Sequence, residues 1–307
     1  MESKLTVQSQ YHSGEREAQR LAGEQDIADA REGMVRPSIP RQVFNWLTEQ
    51  TLLAIATMGA EGHLWATVIP SKAGFLHADV NGNHLWIDRA MPTSVLTNLK
   101  GDGRVGLLAI DLVSRQRMRI NGTATALPSG LHVSVQEAFF NCPKYITRRV
   151  AQPSDMSNAP AQHDGDHLLA EHLQLLSETD VLFLATTHPE RGLDISHRGG
   201  DPGFVQLLPD GRIRIPDYTG NSLFNSLGNL LIDPRIGLAI PNLRTGTILQ
   251  ITGTATIQWH DRDEDNITGG THRFVDITPI AWRTEEGGPV SKGASELSPF
   301  NPHPTVA

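Results

Sequence analysis

The sequence contains one unit twice, and this repeat limits the available folds more than any other feature. "RINGTATAL" at 119–127 recurs as "QITGTATIQ" at 250–258, and "RVGLLAI" at 104–110 recurs as "RIGLAI" at 235–240. The shared glycines keep one spacing, since 253 − 122 = 131 and 237 − 106 = 131. A fixed internal period of this kind indicates two homologous modules in tandem.

Each module predicts many short strands and one small helix. Apolar, β-branched runs open both copies, and leucines at i and i+3 (Leu96 with Leu99, Leu227 with Leu230) predict the helix. This content favours antiparallel barrels over alternating strand–helix units. We therefore expect a mainly β protein with short helices, built as two tandem barrels.

The rest of the chain is assigned by composition. Alternating charges and alanines in 14–32 are typical of an exposed helix, Asp166 is expected to cap an amphipathic helix, and neither chain end is expected to carry chemistry. The expected divisions are a helical extension over 1–40, a first barrel over 41–150, a linker over 151–165, a second barrel over 166–284 and a disordered tail over 285–307.

Charge and composition exclude several classes of function. The chain has 26 basic and 34 acidic residues, a net charge of −8, which disfavours nucleic acid and anionic membranes as partners. No apolar run approaches the roughly 20 residues that span a bilayer, and no secretory signal is present, so we expect a cytoplasmic protein. The one cysteine, Cys142, allows no internal disulfide and no cysteine-rich metal site.

The stretch "DISHRGGDPGFV" at 194–205 indicates an anion site. Strand alternation places Ser196 and Arg198 on one side and His197 on the other. A guanidinium fork suits phosphate, and the glycines that follow let a ligand approach the backbone. In "IPDYTGNSLFNSLGNL" at 215–230 a helix start adds unpaired amides. Alternatively, Asn221 or Ser222 simply caps that helix.

These stretches, with "TGTILQITGTATI" at 245–257, resemble the FMN-binding split-barrel family typified by pyridoxamine 5′-phosphate oxidases. "YHSGE" and "FNCPKYI" are similar to a tandem-barrel subgroup. The likeness covers about residues 11 to 275 and is most specific in the second half. It implies FMN in a groove between paired barrels. The residues implied for the cofactor are Ser196, Arg198, Gly203, Phe204, Val205, Asp217, Asn221, Asn225 and Ser226.

The resemblance also implies an FMN-dependent oxidoreductase acting on an unidentified small molecule. Electrons would come from NAD(P)H, from a separate reductase or from the substrate, and two chains could pair as a homodimer. A pyridoxamine phosphate oxidase is disfavoured because no second arginine-rich cluster is recognised. The alternative function is a non-catalytic flavin or haem carrier of the same fold, and a visible spectrum would separate these readings.

The first module departs from the pattern. Val68 or an immediate neighbour stands where the second module has Arg198, and Lys72 is a weak substitute for that cation. We therefore expect a degenerate first barrel that supplies a wall of the site, with at most one flavin per chain.

A few further side chains are candidates for the pocket. Cys142, Lys144 and Tyr145 are expected to line it, and Cys142 is either a redox partner or a small buried residue. No metal is expected: the spacing of three histidines does not place them on one helical face, so they are expected to be solvated. These histidines are His163, His167 and His172.

Overall fold

The structure is a computed structural model that describes residues 10–154 and 163–302. Helices α1 (Ser13–Ala22), α2 (Gln25–Asp29) and α3 (Phe44–Thr48) precede the first sheet. Its strands are β1 (Leu52–Met58), β2 (Leu64–Pro70), β3 (Leu76–Ala78), β4 (His84–Ile87), β5 (Arg104–Asp111), β6 (Gln116–Leu127) and β7 (Gly130–Asn141). Helix α4 (Thr93–Leu99) connects β4 to β5.

The second half repeats this plan. The elements that follow are β8 (Arg148–Pro153), β9 (His163–Gly165), α5 (Ala170–Glu178), β10 (Val181–His188), β11 (Gly192–Gly199), β12 (Gln206–Leu207), β13 (Ile213–Pro216), α6 (Asn225–Ile232), β14 (Arg235–Pro241), β15 (Ile248–Gln258), β16 (Phe274–Glu285) and β17 (Pro289–Glu296). The first sheet has the order β2-β1-β5-β6-β7-β4-β3 and the second the order β11-β10-β14-β15-β16-β13-β12. The predicted mainly β fold with two tandem split barrels is confirmed.

The apolar runs that open each module are buried on both faces. In β1, Leu53 and Ile55 face the core of the first barrel, whereas Leu52 and Ala54 face a third core between the barrels. Phe183 of β10 lies in the same interbarrel core. A strand covered on both sides needs a continuous apolar run rather than alternation, so the barrels are packed face to face through these strands.

The repeated glycines fix how closely the barrels approach. A β-carbon on Gly106 of β5 would lie 2.8 Å from the backbone of Asp194, and one on Gly237 of β14 would lie 2.6 Å from the carbonyl oxygen of Leu64. Real β-carbons are not found at such distances, so glycine permits both contacts. The contact at Gly106 brings β11, which carries Ser196 and Arg198, against the first barrel.

The expected tail and linker are wrong in part. Residues 289–296 form β17, which pairs with β8, and β16 extends to Glu285. Strand β8 in turn runs into the predicted linker as far as Pro153, and 163–165 pair with β16. Residues 155–162 and 303–307 of these two predicted segments lie outside the described residues. Polar composition indicated disorder, but pairing of two distant segments satisfies their backbone groups.

Helix α1 is also not the exposed helix that its charges indicate. Gly14, Glu15, Ala18 and Gln19 are buried, because the helix packs on α6. The contact is close: a β-carbon on Gly228 of α6 would lie 2.6 Å from the backbone nitrogen of Glu15. The burial of α1 therefore depends on a small residue 213 positions along the chain from Glu15, which composition does not reveal.

The predicted helix cap and solvated histidines need correction as well. Helix α5 begins at Ala170 after Leu169, so Asp166 does not cap it. His163 and His167 are exposed, but His172 is 4% exposed and its ring lies 4.2 Å from that of Trp282, centroid to centroid. Burial lowers the pKa of His172.

Candidate functional site

A cleft opens where the two barrels meet. Its volume is about 100 Å³, several times the roughly 10–15 Å³ that one buried water needs. The first barrel lines it with β6 and the residues after β7, and the second with β11, the loop after β13 and the start of α6. We call it the arginine cleft; its lining residues are Leu108, Arg117, Arg119, Asn141, Cys142, Tyr145, Ser196, His197, Arg198, Gly199, Asp217, Tyr218, Gly220, Asn221, Ser222, Phe224, Asn225, Ser226, Leu227 and Arg273.

Strand β11 places two of the predicted anion-binding groups in this cleft. The Arg198 guanidinium donates to the Ser196 hydroxyl at 3.1 Å and lies 3.7 Å from a carboxylate oxygen of Asp217. The Ser226 hydroxyl lies 3.2 Å from both the Ser196 hydroxyl and the carboxylate of Asp194. Ser196, Arg198 and Ser226 thus form one hydrogen-bonded cluster on the second-barrel wall.

The first barrel contributes two arginines that sequence reasoning missed. Arg117 and Arg119 alternate with Met118 along β6 and both line the cleft. Arg119 lies 3.2 Å from Asp194 and donates to the Asn225 side-chain oxygen at 3.3 Å. The alternation in "RQRMRI" was the available signal, since it places the arginines on one face of a strand.

Arg117, unlike the other arginines that line the cleft, has no ion pair with a carboxylate of the described residues. Its Nη1 donates to His197 Nδ1 at 2.8 Å, its Nε has no hydrogen-bond partner, and no carboxylate among residues 10–154 and 163–302 pairs with it. Burial, helped by the nearby charges of Arg198 and Arg119, lowers the pKa of Arg117 to about 9. A buried guanidinium without a carboxylate is costly unless an anion neutralises it.

His197 supports that cation in its neutral form. Burial and the neighbouring arginines hold the pKa of His197 well below its usual range. Because Nδ1 accepts from Arg117, the ring proton is assigned to Nε2, which is buried without a partner. Alternation predicted that His197 points away from the side of Arg198, but His197 lines the same cleft, because its ring contacts Arg117 as well as Phe183.

The start of α6 offers uncapped backbone amides to the cleft. Phe224 precedes the helix, and no side chain in the described part of the chain caps its first turn. Asn221 instead accepts from the amide of Leu223, so the reading of Asn221 or Ser222 as a simple helix cap is wrong. Free amides and the helix dipole favour an anion here.

The loop that leads into α6 is strained. Ser222 and Phe224 have φ values of 59° and 60°, a left-handed conformation that costs non-glycine residues about 1–3 kcal/mol each. Such a backbone persists only where its surroundings hold it, and it clusters at binding sites. The left-handed residues bring this turn, and the helix start that follows it, to the wall of the cleft.

Two tyrosines and the cysteine form the outer part of the cleft. The rings of Tyr145 and Tyr218 lie 4.7 Å apart, centroid to centroid, and the Tyr145 hydroxyl donates to the carbonyl of Thr219 at 2.9 Å. Burial raises the pKa of Tyr145 to about 12, so its phenol stays protonated. Cys142 is half-buried beside them.

Most predicted site residues meet in this cleft, and four do not line it. Gly203 is at a turn with φ of 94°, Phe204 and Val205 are buried in the second core, and Lys144 lies 5.6 Å from the ring of Phe300. The predicted residues that do line it are Cys142, Tyr145, Ser196, Arg198, Asp217, Asn221, Asn225 and Ser226. Besides the β6 arginines, the missed residues include Arg273, which pairs with Asp217 at 3.0 Å and with Glu24 at 3.3 Å.

Across the described residues, no group of three or more histidine, cysteine, aspartate or glutamate side chains could hold a metal ion. Within the same ranges, no helix has the length and apolar character needed to cross a bilayer.

The fold and the site define a class of protein: two fused split barrels with an arginine-rich cleft between them. Residues 39–141 match the family model described as Pyridoxamine 5′-phosphate oxidase. The first repeat is thus similar to this split-barrel family, which agrees with the resemblance noted from the sequence. The match falls on the first repeat, although the motifs had indicated the second as the more specific half. No curated protein sequence matches the chain.

Solved structures similar to this chain each cover one barrel's length of it. HupZ of Group A Streptococcus is 13% identical and covers 41% of this chain and 100% of its own, with a TM-score of 0.31. The FAD binding protein from Mycobacterium smegmatis is 16% identical, with coverages of 41% and 98% and a TM-score of 0.27. A Clostridium acetobutylicum protein related to general stress protein 26 (pyridoxinephosphate oxidase family) is 15% identical, with coverages of 40% and 91% and a TM-score of 0.27.

Proposed function

We propose that the chain binds FMN non-covalently in the arginine cleft and acts as a flavin-dependent oxidoreductase. The observation that carries the proposal is the buried, uncompensated Arg117 facing Arg198 and the uncapped start of α6. Together they provide what a terminal phosphate needs: permanent cations, hydroxyl donors and free backbone amides. A phosphate monoester at the end of FMN is such a group.

The cleft residues divide into two roles toward this ligand. Arg198, Ser196, Ser226 and the first amides of α6 would hold the phosphate from the second barrel, and Arg117 would neutralise it from the first. The first barrel would then do more than form a wall of the site, because its Arg117 would contribute a positive charge to phosphate binding.

The reactive chemistry would belong to the cofactor. Bound flavin supplies hydride or electron transfer, while the protein supplies orientation and electrostatics. The neutral His197 is suited to donating a hydrogen bond from Nε2, whereas the Tyr145 hydroxyl already donates to Thr219 and can accept one. We propose a small-molecule substrate at the open, tyrosine-lined side, with electrons from NAD(P)H, a separate reductase or the substrate.

The test of binding is the visible spectrum of the purified protein, followed by titration of apo-protein with FMN. We expect flavin absorption, and we expect Arg198→Ala to weaken FMN binding by about 1.5–3 kcal/mol through loss of a charge-assisted contact. Val68→Ala, a buried change in the first module, is the matched control and should retain FMN. A Soret band, or unchanged FMN affinity in Arg198→Ala, would contradict the proposal.

The test of turnover separates an enzyme from a carrier. Under anaerobic conditions, NADH or NADPH is added to the flavin-loaded protein, alone and with a general flavin reductase, and the absorption near 450 nm is followed. Bleaching followed by reoxidation on adding an acceptor supports an oxidoreductase. A flavin that is bound but never reduced supports the non-catalytic carrier.

A further inference from the structure

The N-terminal helix contacts the same loop that forms one wall of the arginine cleft. Three side chains from this region hold three nearby positions of the strained segment. Asn225 donates to the Glu15 carboxylate at 2.5 Å, Gln19 donates to the carbonyl of Leu223 at 3.3 Å, and the Ser222 hydroxyl donates to Glu24 at 2.6 Å. These hydrogen bonds surround the two left-handed residues, Ser222 and Phe224.

The contact between Glu15 and Asn225 sets the direction of an amide inside the cleft. The Asn225 side-chain nitrogen is turned toward Glu15, so its oxygen faces Arg119 and accepts from that guanidinium. Both Glu15 oxygens are in use, since the second accepts from the backbone amide of His12 at 2.9 Å. Asn225 is the first residue of α6, so holding it also holds the free amides of the helix start.

We propose that Glu15 is a positioning residue of the cofactor site, which fixes Asn225, and through it Arg119 and the start of α6, in the arrangement that binds a phosphate. The proposal rests on the proposed function, because FMN is the phosphate-bearing ligand on which it acts. The region that the sequence placed outside the chemistry is then part of the site.

The protonation of Glu15 provides a readout that a merely structural role would not move. Burial raises the pKa of Glu15 to about 7. Its ionised form can accept from both His12 and Asn225, whereas a protonated carboxyl or a glutamine offers one good acceptor fewer. The charged and titratable groups around it are His12 on its own segment, Glu137 on β7, His188 on β10, Arg191 in the following turn and Asp194 on β11.

The experiment compares Glu15→Gln with wild type by titrating apo-protein with FMN and with riboflavin, which lacks the phosphate. At pH 8.5 we expect the Kd for FMN to rise about tenfold in Glu15→Gln, as for a lost hydrogen bond to a charged group, while the Kd for riboflavin stays unchanged. At pH 5.5 the two proteins should bind FMN alike, because the wild-type carboxyl is then protonated. Glu17→Gln, an exposed change on the same helix, is the control and should match wild type at both pH values.

A second variant covers the case in which Glu15→Gln does not fold. Gln19→Leu removes the bond to the Leu223 carbonyl but keeps most of the buried volume, and it should weaken FMN about fivefold at every pH. Equal FMN affinity in wild type and the variant that folds, or equal losses for FMN and riboflavin, would overturn the proposal while Arg198→Ala still supports the cofactor site. Failure of wild type to bind FMN would overturn both the proposed function and this one.

Discussion

Among the described residues the same cleft position occurs twice, and only one copy has arginines on the strands that line it. The repeat spacing and the strand ladders give the equivalences. Gly106 and Gly237 pair with Ala56 and Ala185, and these pair with Ala66 and Ile195. Three residues further along, Ile69 therefore takes the place of Arg198, as the immediate neighbour of Val68. A second cleft, which we call the aliphatic cleft, is lined by Val68, Ile69, Pro70, Arg89, Ala90, Met91, Pro92, Ile248, Glu285, Glu286 and Gly287.

The strand substitutions in the aliphatic copy oppose anion binding, although Arg89, which follows β4, also lines this cleft and donates to the carbonyl of Pro70. At the same ladder positions, Ile248 replaces Arg117 and Glu285 replaces Asn141. Burial raises the pKa of Glu285, whose carboxyl accepts from Thr67 and Gln250. The two clefts share a backbone plan but differ in charge, which shows that the fold alone does not make the anion site.

The helix at each cleft differs in the same sense. Asn229 donates to Thr186 in the second barrel, and its equivalent Asn98 donates to Thr57 in the first, so the two helices are anchored alike. Gly228, however, accepts the close approach of α1, whereas the first barrel has Thr97 at that place. The contacts of α1 with the start of α6, made by Glu15 and Gln19 and called here the α1 clamp, therefore occur only at the arginine cleft among the described residues.

The sharpest test converts the arginine cleft into the aliphatic one. Arg117→Ile with Arg198→Ile should lower FMN affinity at least about 100-fold, since each lost charge-assisted contact is worth about 1.5–3 kcal/mol. The fold should survive, because aliphatic side chains replace buried cations without a desolvation penalty. FMN titration and urea unfolding check both statements. Arg262→Ile, at an exposed arginine, should change neither, and FMN retention by the double variant would break the comparison.

A second test uses pH to isolate the α1 clamp. The raised pKa of Glu15, from 4.5 to about 7, means that the native state keeps a proton that the unfolded chain has released, so stability falls as pH rises through this window. The lowered pKa of His12, from 6.5 to about 4, has the opposite sign, so stability rises with pH there. In wild type the two slopes oppose each other.

Glu15→Gln should remove the falling contribution of Glu15 and keep the contribution of His12, by which stability rises with pH. Its free energy of unfolding relative to wild type should therefore increase between pH 4.5 and pH 7, by at most about 3 kcal/mol from a shift of this size. Urea unfolding at four pH values across the window measures it, with Glu17→Gln as the parallel control. Parallel profiles of Glu15→Gln and wild type would show that Glu15 is not the group that titrates.

Much of this fold, but less of the site, could be predicted from the sequence. The repeat and its period of 131 gave two modules, and local alternation placed Ser196 and Arg198 together. Arg117 was missed because its neighbour His197 belongs to the other barrel, and the burial of Glu15 was missed because it depends on Gly228. Local sequence patterns specify which face of a strand a side chain occupies. Contacts between modules depend on how the two cores pack, and neither alternation nor the repeat spacing contains that information.

A third test introduces threonine, the residue at position 97 of α4, at the equivalent position 228 of α6. In Gly228→Thr the new side chain would collide with the backbone of Glu15, so we expect a loss of about 1–3 kcal/mol of unfolding free energy as α1 is pushed away. The reverse change, Thr97→Gly on the exposed face of α4, should cost only about 0.5 kcal/mol through helix propensity. Urea unfolding of both variants measures the difference, and equal losses would mean that α1 does not depend on the glycine.

The smallest effect is expected at Ile69, the residue of the aliphatic cleft that corresponds to Arg198. Ile69→Val removes one buried methyl group and should cost about 0.5–1.5 kcal/mol of stability. The Kd for FMN should not change, because Ile69 lies in the copy whose strands carry no arginine. Thermal unfolding and FMN titration of the same preparation give both quantities. A loss of FMN affinity larger than the scatter among wild-type preparations would mean that the aliphatic cleft also takes part in holding the flavin, and the division of labour between the two copies would have to be abandoned.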